Sequence, residues 1–294
     1  MSAVAGGSGG GSVLHRLCLT CGCLGCRYLH CKSGIAGPES DFTSEDVHIS
    51  YLPLAHMFER ATQAMLLRSG AGIGFFQGEI PLLVGDIQEL HPTIFAVVPR
   101  LLNKIYSKVK GRVENGKCVR QGSRCQRVSC DRRAELGLDT HAHFALLRSL
   151  SWCCHSSFKR WMFYKAYNTK LEAMRTKNTN IHGFWDSIVF ANVAASLGGR
   201  VRAMITGSAP LSSTVMEFMR ICFSCHVLEG YGQTETSAAS HITIPGDMSM
   251  GHVGVPLPCI EVKLDDVPEM GYMTTDEGGP RGEICFRGPN VFQV

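Results

Sequence analysis

SLGGRVRAMITGSAPLS at 196–212 and HVLEGYGQTETS at 226–237 decide the fold. VRAMITG (201–207) reads as a buried strand that ends at Thr206 and turns tightly through Gly207, Ser208, Ala209 and Pro210. SSTVMEFMRIC (212–222) has helical length and spacing, and HVLEG (226–230) is a second strand. Strand, helix and strand in that order build a covered, largely parallel α/β sheet. Ligands of such sheets sit where strand carboxyl ends and helix amino ends converge.

The same rhythm extends toward the amino end. HISYLPLA (48–55) reads as a strand running into a turn, and MFERATQAMLLRSG (57–70) as a helix stopped by Gly70, with Met57, Ala61, Ala64, Met65 and the Arg68 stem on one flank. AGIGFF (71–76) is a short strand, 81–90 a helix opened by Pro81, TIFAVV (93–98) a buried strand, and Pro99 opens a helix to about Val109. SFKRWMFYKAYNTKLEAMR (157–175) is a helix with Trp161, Tyr164, the Lys165 stem and Ala166 through Leu171 on its apolar side, and 184–199 is helical with a glycine stop. IEVKL and GEICFRG, separated by a Gly/Pro-rich stretch, form a small β subdomain at the end.

Composition excludes wholesale disorder, with 45% hydrophobic and 18% charged residues in 294, and no uninterrupted apolar run of about 18 residues spans a bilayer. The net charge of +4 is local: residues 111–160 hold ten Lys/Arg against four Asp/Glu, so the rest of the chain is slightly acidic. Ten of the 14 cysteines fall at 18–31 and 118–154. The quiet remainder has the cysteine content of a reducing compartment. C-x2-C-x-C-x2-C from Cys18 offers four thiolates, but its middle gap is not that of a zinc loop, so an unstructured leader is expected. The arginines from Arg112 to Arg133 lack an aromatic platform or recognition helix, so no nucleic-acid partner is expected.

Three segments can carry chemistry. The turn at Gly207, Ser208 and Ala209 lets a flat or anionic ligand approach the backbone, or is simply a strand-to-helix turn needing small residues. In EGYGQTETS (229–237), Tyr231 can stack on a planar base beside the flexible Gly232, Thr234 can donate to a phosphate oxygen, and Glu235 can hold Mg2+ or merely cap a helix. His56, with Met57 and Phe58 in YLPLAHMFER (51–60), is a structural histidine or the wall of a pocket for an apolar acid. No G-x-S-x-G elbow at a strand-to-helix turn, H-E-x-x-H or G-x-x-x-x-G-K-[ST] occurs, and strand 201–207 does not open into G-x-G-x-x-G.

YLPLAHMFER (51–60), PTIFAVVPRLLNKIY (92–106), SLGGRVRAMITGSAPLS (196–212), EGYGQTET (229–236), GHVGVPLPC (251–259) and GEICFRGPNVFQ (282–293) stand in an order that resembles the adenylate-forming acyl-activating enzymes, in particular long-chain fatty acid CoA ligases. The resemblance implies the large N-terminal domain of that fold, with layered α/β sheets and a small terminal β subdomain. It implies an AMP-forming reaction in which a fatty acid carboxylate attacks the α-phosphorus of ATP and the thiol of coenzyme A then takes the acyl group. Gly207, Ser208 and Ala209 would line the adenine and acyl side, Tyr231 and Gly232 the adenine, Thr234 the α-phosphate and Glu235 the Mg2+, while His56, Met57 and Phe58 would border the acyl pocket. The implied partners are long-chain fatty acid, ATP and coenzyme A, at the cytoplasmic face of the endoplasmic reticulum or another intracellular membrane.

The resemblance further implies a T-S-G-T-T-G-x-P-K-G phosphate loop shortly before position 45 and a lysine-bearing C-terminal domain after the 282–293 segment, and neither is read within these 294 residues. The expected organisation is therefore a non-family, disordered leader at 1–44, the first part of the large domain at 45–110, an atypical insertion at 111–156, the second part at 157–250, and the truncated start of a β subdomain at 251–294. Impaired activity is expected of such a chain. The alternatives are an inactive binding fragment and a ligase for a different carboxylic acid.

Overall fold

The computed structural model describes residues 42–115 and 156–292. The leader up to residue 41, its zinc-like cysteines and residues 116–155 of the expected insertion lie outside the described residues.

Five parallel strands form the body of a seven-stranded sheet: β1 (Val47–Ser50), β2 (Gly72–Phe75), β3 (Ile94–Val97), β4 (Ala203–Thr206) and β5 (His226–Tyr231). Two short strands, β6 (His241–Ile242) and β7 (Val255–Pro256), continue it antiparallel, giving the order β2-β1-β3-β4-β5-β6-β7. IFAV of β3 and AMIT of β4 are buried at every position, the pattern of central strands covered on both faces. A separate antiparallel pair, β8 (Glu261–Asp265) and β9 (Glu283–Arg287), is the expected small β unit. Leu257 and Ile260 join it to the main sheet through a cluster that includes Ile242 and Phe286.

The helices are α1 (Met57–Ser69), α2 (Leu83–Leu90), α3 (Pro99–Asn115), α4 (Ser156–Lys177) and α5 (Ser213–Phe223). Gly70 ends α1 in the left-handed region at φ 73°, its N–H bonded to the Leu66 and Leu67 carbonyls. Pro81 does not open α2; it lies in turns closed by Leu82 N–H on the Glu79 carbonyl and Leu83 N–H on Ile80. α3 continues past Val109 to Asn115, so the pattern break expected at 111 comes later. The stretch expected as one helix at 184–199 is broken into α, π, α and 3-10 turns from Gly183 to Leu197, stopped by Gly198 at φ 81°.

Two helix faces match expectation only in part: Arg68, Trp161 and Tyr164 are exposed, while Ala61 and, within the expected 166–171 stretch, Ala166 and Lys170 are buried. On α1 the buried residues are Glu59, Ala61, Thr62 and Leu66, while Met65 is half-buried and Arg68 exposed. Glu59 turns inward because buried His48 of β1 meets its Oε1 at 3.3 Å and Gln63 donates to the same oxygen at 3.0 Å. On α4, Trp161 and Tyr164 are exposed, and Phe163, Ala166, Lys170 and Met174 face the core. Lys170 is fully buried, with its Nζ donating to Asp186 Oδ1, the Ile221 carbonyl at 2.7 Å and Ser224 Oγ at 2.7 Å. Three acceptors match the three donors of an ammonium, which is how a buried lysine is tolerated.

The amino ends of the strands are tied by Asp46. Arg202 donates to it through Nε at 2.8 Å and Nη2 at 2.6 Å, Thr93 Oγ1 at 2.6 Å and the Thr43 N–H at 2.8 Å. This joins the residues just before β1, β3 and β4. Burial opposes ionisation, but the donors, Arg202 foremost, win and bring the Asp46 carboxyl down to about 2. A folded-state value below the unfolded one means that the clamp stabilises fully above about pH 4 and loses its effect as pH falls toward 2. That shift corresponds to about 2 kcal/mol. Urea unfolding at a series of pH values should show Asp46→Asn less stable than wild type by at least that amount at pH 7, with the gap narrowing by about 2 kcal/mol between pH 4 and pH 2; a gap independent of pH would contradict the clamp.

Candidate functional site

β4 and β5 are paired in register from Ala203↔His226 to Thr206↔Glu229, so β4 ends level with Glu229 and β5 runs two residues further, to Tyr231. The turns that leave them lie side by side. A Cβ on Gly207 would stand 3.1 Å from the Gly230 carbonyl oxygen, so the two backbones pass at glycine distance. Ser208 follows at φ 69°, in the left-handed region, and Ser208, Ala209 and Pro210 are exposed at the carboxyl edge of the sheet. Glu229 is buried, and its Oε1 accepts the Leu211 N–H at 3.1 Å, tying the end of the first turn to the strand that leads into the second. A charge in an otherwise apolar strand, HVLEGY, was the available signal for this residue.

Tyr231 ends β5 opposite His241. Its half-buried ring has His241 at 6.0 Å and Phe286 at 6.3 Å between centroids, so the main sheet and the small β unit both brace it. Burial lowers the His241 pKa, favouring the neutral imidazole against the tyrosine. Gly232 then allows the chain to fold back, since a Cβ there would lie 2.0 Å from the Ala238 carbonyl oxygen.

Thr234–Thr236 forms a 3-10 turn capped by Gln233, whose N–H is bonded to Thr236 Oγ1 at 3.0 Å. Thr234 and Glu235 are exposed, and among the described residues neither the Thr234 hydroxyl nor the Glu235 carboxylate has a recorded polar partner. Glu235 therefore does not act as the helix cap; Gln233 and Thr236 do. Among the described residues no group of three or more His, Cys, Asp or Glu forms a preassembled metal site. Mg2+ delivered with a polyphosphate needs only one or two protein carboxylates, the rest of its shell being phosphate and water. A single unpartnered Glu235 fits that donor set.

His56, Met57 and Phe58 begin α1, beyond the carboxyl end of β1 and two strands away from β4. They share the sheet edge but not the β4–β5 crevice. The exposed His56 caps α1, its Nδ1 accepting the Phe58 N–H at 3.2 Å, while Phe58 packs toward Leu66, Ile94 and Ile205.

Residues 20–294 match the family described as AMP-binding enzyme. The chain belongs to that family. Human long-chain-fatty-acid–CoA ligase 1 is 41% identical over 249 residues, covering 85% of this chain and 29% of the relative. Long chain acyl-CoA synthetase 7, peroxisomal, of Arabidopsis thaliana is 42% identical over 255 residues, covering 87% and 31%. This chain thus spans about 30% of the length of those curated relatives. Among solved structures, the adenylation domain of a carboxylate reductase from Mycobacterium chelonae superposes with a TM-score of 0.52 at 23% identity, over 84% of this chain and 28% of that one. The A domain of carboxylic acid reductase from Segniliparus rugosus, solved with AMP and a co-purified carboxylic acid, gives 0.50 at 22% over the same shares. The fold is the α/β architecture of those adenylation domains, as the resemblance implied. No described helix is long and apolar enough to cross a membrane.

The close return at Gly232 makes a sharp expectation. Gly232→Ala should destabilise the fold by about 3 kcal/mol or more, because the Ala238 carbonyl it would meet is backbone and cannot rotate away. Gly85→Ala, in α2 with nothing within 4 Å of the new methyl, should be neutral or stabilising by up to about 1 kcal/mol. Thermal unfolding of the two variants checks both, and an equal Tm would contradict the geometry.

Proposed function

We propose that this chain supplies the nucleotide- and acid-binding face of an AMP-forming long-chain fatty acid CoA ligase. The observation that carries the reading is the meeting of the turns after β4 and β5, where glycine-spaced backbone, a braced tyrosine and an unpartnered threonine and glutamate share one edge. The relatives named as long-chain ligases support the choice of acid.

In this reading Tyr231 is the platform for adenine, held by His241 and Phe286 so that little ring freedom is lost on stacking. Gly207 to Ala209 admit the nucleotide and the acyl carboxylate against backbone. Thr234 donates to the α-phosphate, and Glu235 holds Mg2+. The metal, when bound, neutralises phosphate charge as pyrophosphate leaves. The acid is already a nucleophile as its carboxylate, so the residues at this edge orient and screen rather than abstract a proton. Attack of the carboxylate on the α-phosphorus gives acyl-adenylate and pyrophosphate; the thiol of coenzyme A then displaces AMP to give the thioester. His56, Met57 and Phe58 border the alkyl chain.

Calorimetric titration of the chain with ATP tests the assignment. Tyr231→Ala should weaken ATP binding about tenfold with or without Mg2+, in line with roughly 1–3 kcal/mol for a base–aromatic stack. Glu235→Gln should remove the tightening that Mg2+ produces and leave metal-free binding unchanged. Palmitate should compete for the chain with a fluorescent long-chain acid, and benzoate should not. ATP binding indifferent to both substitutions would overturn the reading.

A further inference from the structure

Residues 288–292 clasp the turn that carries Thr234 and Glu235. The Phe292 N–H donates to the Glu235 carbonyl at 3.1 Å, Asn290 Nδ2 to the Thr236 carbonyl at 3.1 Å, and Ser237 Oγ to the Asn290 carbonyl at 2.8 Å. Three consecutive residues of the turn are each fastened to a segment more than fifty positions later. The clasped turn is strained: Ser237 and Ala238, neither of them glycine, stand at φ 54° and 92°. Such backbone persists only where its surroundings over-determine it. The return of Ala238 onto Gly232 supplies one constraint and the strap supplies the other.

Asn290 is the buried centre of the strap, 2% exposed. The Thr236 carbonyl fixes which way its amide faces, since only Nδ2 can donate to it. Among the described residues its Oδ1 is then left buried without a hydrogen-bond partner. An unmatched buried acceptor is a cost that an apolar side chain would avoid. The side chain is thus explained by its donor end, which reaches the peptide immediately after Glu235.

We infer that Asn290 is a positioning residue, holding the Thr234–Thr236 turn so that the Glu235 carboxylate stands where Mg2+ arrives with the nucleotide. The inference rests on the metal-binding role proposed above for Glu235. Tyr231 precedes the clasped turn and is braced independently by His241 and Phe286, so the base platform does not depend on Asn290.

The test pairs hydrogen exchange with ATP titration on the whole chain. Asn290→Ala removes the amide, and Asn290→Asp keeps its size but not its donor, so one of the two is usable if the other fails to fold. Asn180→Ala is the structural control: Asn180 is a buried amide elsewhere, donating to the Arg220 and Cys225 carbonyls at 3.1 and 2.9 Å. Expected is faster exchange across 234–238 in the Asn290 variants with β5 still protected, about a tenfold loss of the Mg2+-dependent tightening, and metal-free ATP affinity within twofold of wild type. Asn180→Ala should keep both wild-type behaviours. Unchanged exchange at 234–238 would overturn the inference, as would an Asn180 variant that loses the Mg2+ effect equally. A wild-type chain showing no Mg2+ effect would instead refute the role of Glu235, and exchange alone would then decide whether Asn290 holds the turn.

Discussion

The bond from the Leu211 N–H to the buried Glu229 carboxylate is the constraint on which the site depends. Parallel pairing alone sets Thr206 level with Glu229, but it leaves the turns that follow the two strands free to diverge. Glu229 prevents this because its backbone belongs to β5 and its side chain to the turn after β4. Its own N–H bonds to Thr243 Oγ1 at 2.9 Å, and the Thr243 N–H returns to the Glu229 carbonyl at 2.9 Å, so the antiparallel edge of the sheet is locked to the same residue. A buried carboxylate must be hydrogen-bonded to be tolerated, and here that requirement fixes the spacing of the crevice. The opposite, amino-terminal edge carries the Asp46–Arg202–Thr93 clamp, so polar ties hold the sheet at both ends and the apolar strands fill the middle.

The fold was legible where the sequence carried one unmixed signal. The apolar runs of β3 and β4, the glycine stops at Gly70 and Gly198 and the proline at the start of α3 each have a single physical meaning, and each appears in the structure as expected. Legibility failed where a polar residue was buried or an aromatic one exposed. Glu59 turns inward because His48 satisfies it, and Lys170, within the stretch expected to face the core, is tolerated there because Asp186, Ile221 and Ser224, all distant in sequence, accept from it. No periodicity within α1 or α4 contains that information.

The site divides along the same line. Tyr231, Gly232, Thr234 and Glu235 are contiguous, so a short motif exposes them together. Glu229, Leu211 and Asn290, which set the positions of those residues, act across separations of 18 and 54 positions. Asn290 lies inside the quoted GEICFRGPNVFQ segment, but nothing in that segment points to the turn at 234–238. The residues that would touch ligand were visible in sequence; of those that hold them, Glu229 carried a signal as a charge within β5, and the partners Leu211 and Asn290 carried none.

Photolabelling with 8-azido-ATP in the presence of Mg2+, followed by peptide mapping, tests most directly whether nucleotide binds at the edge shared by β4 and β5. The account predicts label on the segment containing Tyr231, with the neighbouring 207–211 turn as the second position, and its suppression by excess ATP. ATP-protected label concentrated elsewhere, on α3 or α4 for example, with none on 207–211 or 229–237, would contradict the account.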